Sequence, residues 1–242
     1  MFSKADTHMH TTCSDGLVSP EELVDYVAAH TDLRVIAVTD HDTAEGGLLA
    51  REYALRHGLA LDVIVGQEVT TDEGDIVGLF VRETMPAFRT AHEAVDAIHA
   101  QGGLAVAVHP YSRLATGFQM TGVADLIRSL PLDGVEVRNG FPSNILANAV
   151  SVRRNRRGQR LSELGGSDSH VPYTVGQAHT LFRGTTADDL RHAILRRETR
   201  AAGPLWLPAS LAKLTPVLLR KGFPSRAQEP VRGQMTVLET GD

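Results

Sequence analysis

The chain has 242 residues, 42% of them hydrophobic and 22% charged, enough for one large core or a core with a small appendage. A formal net charge of −5 argues against a broad nucleic-acid-binding surface and leaves room only for a local basic groove. The single cysteine, Cys13, excludes an intrachain disulfide and a cysteine-rich zinc module, and no apolar run approaches the ~18 residues of a membrane span. Met1 leads straight into a charged, strand-like segment without a secretory pattern, so a cytoplasmic protein with no membrane partner is expected.

In chain order, short β-rich runs alternate with helix signals. Lys4–Thr11 reads as a strand and Ser19–His30 as a helix, because Ser19-Pro20-Glu21-Glu22 supplies a cap, a first-turn proline and a glutamate three residues on. Arg34–Thr39 and Ala44–His57 repeat the strand–helix unit. Leu61–Thr70 and Asp75–Val81 suggest a hairpin around Asp72-Glu73-Gly74. Thr90-Ala91-His92-Glu93 opens a second capped helix, to Gln101, and Leu104–Val108 is a strand. A short helix at Val123–Ser129, a strand at Gly134–Val137, a helix at Asn144–Arg157, strands at Leu161–Leu164 and Ala178–Phe182, and a helix at Ala187–Arg197 complete the series. Val35–Val38 and Leu104–Val108 are continuously apolar, as in strands buried on both faces, so the alternation predicts a parallel sheet, open or closed. Residues 1–203 are expected to form one catalytic body, 204–224 a proline-broken segment packing on it, and 225–242 a loose tail.

The chemistry gathers at the ends of these runs. His8 and His10, two apart on a strand, point the same way and would chelate one ion; Asp168 and His170 repeat the spacing, with Gly165-Gly166 letting the backbone pass close by. Asp40 and His41 are adjacent and cannot both face inward. His41 is therefore assigned as a ligand, and Asp40 as the group orienting an imidazole. Glu68 follows an apolar run, where a buried carboxylate needs a cation, and a bridging role suits it. His109 follows five apolar residues, and Asp15 lies just beyond the first histidine pair. Imidazoles and carboxylates of this kind suit zinc, manganese or iron. The other histidines lie on or beside predicted helices or open a late strand, and join no chelating pattern. Arg113 and Arg138 are the anion candidates, since a guanidinium matches the paired oxygens of a phosphate. The run Arg153, Arg154, Arg156, Arg157 is read first as a solvated helix face.

With these residues in hand, the stretches Asp6-Thr7-His8-Met9-His10, Ser14-Asp15-Gly16, Thr39-Asp40-His41-Asp42-Thr43, Gly66-Gln67-Glu68, His109-Pro110 and Gly166-Ser167-Asp168-Ser169-His170 together resemble the polymerase-and-histidinol-phosphatase (PHP) family of metal-dependent phosphoesterases. They occur in family order and cover about residues 5 to 182. The resemblance implies a distorted (β/α)7 barrel with mostly parallel strands. It also implies two or three divalent ions at the strand C-terminal ends, held by His8, His10, Asp15, His41, Glu68, His109, Asp168 and His170. One position departs: where related sequences often carry histidine, this chain has Asp75, a carboxylate that would still bind metal with a different preference. The expected activity is hydrolysis of a small phosphorylated substrate, nucleotide-like or a sugar phosphate, with His41, His170 and Asp40 as catalytic groups and Arg113 and Arg138 on the phosphate. Exonuclease action on oligonucleotide ends, histidinol-phosphate hydrolysis and a non-catalytic phosphate-binding module are the alternatives.

Overall fold

The computed structural model describes residues 1–112 and 121–204. The apolar runs become strands β1 (Phe2–Asp6), β2 (Val35–Val38), β3 (Asp62–Val69), β4 (Ile76–Leu79), β5 (Leu104–Ala107), β6 (Gly134–Asn139), β7 (Ser162–Gly166), β8 (His179–Arg183) and β9 (Arg200–Ala202). Between them lie helices α1 (Pro20–His30), α2 (Glu45–Arg56), α3 (Ala91–Ala100), α4 (Ile145–Arg157) and α5 (Ala187–Leu195). The capping boxes read from the sequence are present at Ser19 and Thr90, each hydroxyl accepting the backbone N–H of the glutamate three residues on.

The strands form one sheet in the order β7-β6-β5-β4-β3-β2-β1-β8-β9. Beyond β1 the chain pairs with the chain beyond β7, through a parallel bridge between Met9 and Ser169 and the bonds Asp168 N–H to His8 C=O and His10 N–H to Ser169 C=O. The first seven strands thus close on themselves.

Pairing is mixed, which corrects the expectation of mostly parallel strands. Four ladders are parallel and four antiparallel. Two of the antiparallel ladders come from β4, which returns from β3 through the turn at Asp72-Glu73-Gly74 and is antiparallel to β5 as well, and the other two from β8, antiparallel to β1 and β9. The strands β1–β3 and β5–β7 consequently run in one direction, and the reversal puts the start of β4, with Asp75 before it, at their C-terminal end.

Alternation along each strand sorts the core into layers. Val35 and Ala37 join Ile64, Val77, Leu104, Val106 and Leu164 inside the barrel. Ile36 and Val38 face outward onto Leu23, Val27, Ala50 and Ala54 of α1 and α2. Leu190, Ala193 and Ile194 of α5, with Phe182, belong to the interior cluster. Since Ala187 N–H donates to Asp62 at the start of β3, and Arg191 to the Gly102 carbonyl just before β5, α5 stoppers the barrel at its strand N-terminal end. The opposite end is left for polar groups.

Candidate metal centre

Counting outward along the interior face of β3, Ile64 is apolar, Gly66 is small and Glu68 is charged, so the same face that builds the core ends in a carboxylate. Met9 turns into the outer core, which leaves His8 and His10 on the barrel side. Gly166 is required here: a side chain there would bring its Cβ within 2.4 Å of the His8 Cβ and 2.6 Å of a Glu136 oxygen. His109 and Asp168 hold backbones with φ of 30° and 54°, a left-handed conformation that costs non-glycine residues energy and clusters at functional sites.

Three overlapping sets of ligand atoms result, each with its members within 4.8 Å of one another: His10, Asp15, His41 and His170; His8, His10 and Asp168; His8, Glu68 and His109. Glu68 sits between them. One oxygen lies 3.0 Å from His8 Nε2, 3.3 Å from His10 Nε2 and 3.5 Å from His41 Nδ1, and the other 3.0 Å from His109 Nε2. Asp168 Oδ1 is 3.3 Å from His10 Nε2, and Asp15 Oδ2 is 3.2 Å from His170 Nε2. Ligands about 2.1 Å from a tetrahedral ion lie about 3.4 Å apart, so these spacings fit shared cations. Buried Nδ1 atoms of His10, His41 and His109 have no hydrogen-bond partner, a state costly for a polar atom unless an ion completes it.

The electrostatics point the same way. Burial alone would raise Glu68, but the neighbouring His41 and His8 hold its carboxyl well below the usual range; Asp168 and Asp15 behave likewise through His8 and His170. Burial lowers imidazoles, yet Glu68 carries His109 up to about 9, and Asp15 does the same for His170. His41, where burial dominates, is lowered. Opposite charges packed this tightly are the arrangement in which a divalent ion replaces protons.

The eight ligands implied by the resemblance are therefore brought together. Asp75 is buried and adds its charge to the field at His109, but it joins none of the three sets, and its Oδ2 accepts the Thr121 N–H at 3.3 Å. Asp40 does not orient an imidazole as expected. It accepts Thr11 N–H and Oγ1–H and Ser14 Oγ–H at 2.7–2.8 Å, which shapes the turn that presents Asp15.

Arg138 also departs from expectation. Val137 is an extra residue against β7, a bulge that sets Glu136 and Asn139 inward and Arg138 outward, where its guanidinium donates to the carbonyls of Gly203 and Pro204. Arg113, and the segments expected to pack or trail after Pro204, lie outside the described residues.

The imidazole-orienting role belongs to Glu136, which the sequence reading missed. Its Oε1 accepts from His8 Nδ1 at 3.2 Å, so His8 Nε2 is turned toward the cluster. Its Oε2 accepts the His109 N–H and Asn139 Nδ2–H, both at 2.8 Å, and Asn139 Nδ2 also reaches Asp168 Oδ2 at 3.1 Å. Asp6 supports the site through the backbone: its carboxylate accepts the N–H of Ser167 and of Gly176, both at 2.8 Å, and so fastens β1 to the segment carrying Asp168 and His170.

Comparison with known proteins shows what the chain as a whole is similar to. A sequence family described as PHP-associated matches residues 151–199. The chain is 34% identical over 162 residues to an uncharacterized protein of Methanocaldococcus jannaschii, which spans 62% of this chain and 90% of that protein. It is 46% identical over 88 residues to a 5'-3' exoribonuclease of Salmonella typhimurium, covering 35% of this chain but only 30% of the exoribonuclease. A crystal structure of a two-domain protein from Bacteroides vulgatus, containing a predicted PHP-like metal-dependent phosphoesterase, superposes with a TM-score of 0.65 at 23% identity. That match covers 84% of this chain and 65% of the other, and at such identity it speaks to the fold.

Proposed function

Because the chain belongs to the polymerase-and-histidinol-phosphatase family, we propose that it is a metal-dependent phosphoesterase that hydrolyses a small phosphorylated substrate, a nucleotide-like or sugar phosphate. The observation that carries this reading is Glu68, a buried carboxylate in contact with four imidazoles from three different segments. His8, His10, Asp15, His41, Glu68, His109, Asp168 and His170 would hold two or three divalent ions, of manganese, iron or zinc. When bound, these ions supply the positive charge that polarises a phosphoryl group and activates a water.

The protein's own groups do the rest. His8, His10, Glu68, His109 and Asp168 are essentially sealed, whereas the side chains of Asp15, His41 and His170 are 35%, 28% and 12% exposed. This exposed lip is where a phosphate arrives. Of the lip imidazoles, whichever of His41 and His170 is not engaged with an ion is placed to pass a proton to a leaving oxygen. Asp40 acts at one remove, through the turn it holds.

The test is protein reconstituted separately with manganese, iron and zinc, assayed on phosphomonoesters, phosphodiesters, nucleotides, sugar phosphates and histidinol phosphate. No turnover on any of them would overturn the proposal. His10→Ala and Asp168→Ala should each remove most turnover with little change in the circular dichroism spectrum. A second reading, removal of nucleotides from oligonucleotide ends, is supported by the likeness to the exoribonuclease and uses the same chemistry.

A further inference from the structure

The arginines of α4 remain outside the phosphoesterase reading. Residues 153–160 contain Arg153, Arg154, Arg156, Arg157 and Arg160, all exposed, with no acidic residue among them, in a chain whose net charge is −5. Asp125 pairs with Arg154 and Glu163 with Arg156. Among the described residues no carboxylate comes within ion-pairing distance of Arg153, Arg157, Arg160 or Arg128. Stabilisation of the helix C-terminus accounts for some of this charge, since cations there oppose the helix dipole. Arg128 ends the separate 3-10 turn Ala124–Arg128 and adds one more exposed cation beside this helix.

The position of this face is informative. α4 leaves β6 at the metal end, where Asn148 exchanges two hydrogen bonds with the backbone of Asn139, the residue that steadies Asp168. Tyr111, two residues after His109, lies under the Arg154 guanidinium, 5.4 Å from the ring centroid, and within the electrostatic reach of Arg128. Spacings of three and four put Leu146, Val150, Arg153 and Arg157 on one side of the helix, and Leu146 and Val150 are 81% and 41% exposed. A surface that has an aromatic ring two residues from His109, then exposed apolar side chains, and continues into unpaired guanidiniums, has the components of a single-strand track. Bases lie on apolar and aromatic groups while phosphates meet arginines.

We propose that the α4 face, with Tyr111 and Arg128, binds single-stranded nucleic acid and leads its end toward the metal centre. The proposal rests on the phosphoesterase reading for what happens at the lip, but not for the binding itself.

Anisotropy of a fluorescein-labelled single-stranded oligoribonucleotide, titrated with the full chain in the presence of EDTA, separates the two. Wild-type protein is expected to bind it more tightly than a labelled dinucleotide and to lose affinity as salt rises. Arg153→Glu/Arg157→Glu should weaken binding at least tenfold, and the neutral pair Arg153→Gln/Arg157→Gln should flatten the slope of log affinity against log salt by about 1.4, the value for two lost contacts to single-strand phosphates. Both variants should hydrolyse p-nitrophenyl phosphate as the wild type does, since neither residue belongs to the site. Wild-type protein that binds neither oligonucleotide, variants that bind the longer one unchanged, or preferential binding to phosphatidylserine vesicles would each overturn the proposal. Binding without turnover of any phosphoester would sink the phosphoesterase reading and leave this one standing.

Discussion

At the scale of single residues, the site is held by groups that do not belong to the cluster. Glu136 touches the ring of His8, the backbone of His109 and, through Asn139, the carboxylate of Asp168. Groups that orient metal-binding histidines in this way are worth about 10–100-fold in metal affinity. Glu136→Gln, nearly the same size, is expected to lower manganese or zinc affinity by that factor in calorimetric titration while the far-ultraviolet spectrum stays native. Affinity within about twofold of wild type would remove Glu136 from this role. Gly166 makes the complementary case, since its missing side chain is the space His8 and Glu136 occupy. Gly166→Ala should cost about 1–3 kcal/mol, as overpacking does, and weaken metal binding with it. A denaturation midpoint indistinguishable from wild type would show that the neighbours yield freely.

At the scale of elements, the continuous apolar runs were legible because burial on both faces leaves no polar positions to confuse the pattern; β2 and β5 sit where Val35–Val38 and Leu104–Val108 predict them. The capping boxes were equally clear, being local chemistry. What escaped was set by partners distant in sequence. β9, with the sequence Arg-Ala-Ala, has no strand signal and exists because β8 offers it an edge. The bulge at Val137 cannot be read from Val135-Glu136-Val137-Arg138. Regular alternation would put Glu136 and Arg138 on one face, and only pairing against β7 separates them. That one extra residue turned the expected phosphate ligand outward and hid the second acid of the site. The role of α5 was likewise invisible, its amphipathic pattern being that of any helix lying on a sheet. Since Leu190 is fully buried in the interior cluster, Leu190→Ala should destabilise by about 2–5 kcal/mol. Leu195 on the same helix is 52% exposed, and its replacement by alanine should change stability by less than about 0.5 kcal/mol. Equal effects in urea denaturation would mean that α5 lies over the barrel end without filling it.

At the scale of the whole molecule, a barrel with an apolar stopper at one end and five imidazoles among buried acids at the other must be judged by how stability responds to protons and metal together. In chelated protein, His109 and His170 are raised to about 9 by Glu68 and Asp15. A histidine raised in the folded state contributes its full stabilisation below its ordinary value of 6.5 and loses it as pH climbs through 9. Asp6, pushed up by burial to about 6, works in the same direction over a lower range, its contribution present below 3.8 and lost through 6. The depressed carboxyls of Glu68, Asp15 and Asp168 contribute throughout this range and fail only in strong acid. The melting temperature in EDTA is therefore expected to fall between about pH 6 and about pH 9. With manganese or zinc the trend should reverse, because cations bind the deprotonated ligands and compete less with protons as pH rises. Metal at about a hundred times its dissociation constant adds about 2.7 kcal/mol, so the two melting curves should separate progressively toward alkaline pH. Parallel curves would mean that metal and protons do not compete for these histidines, and the assignment of the cluster as a cation site would fall with them.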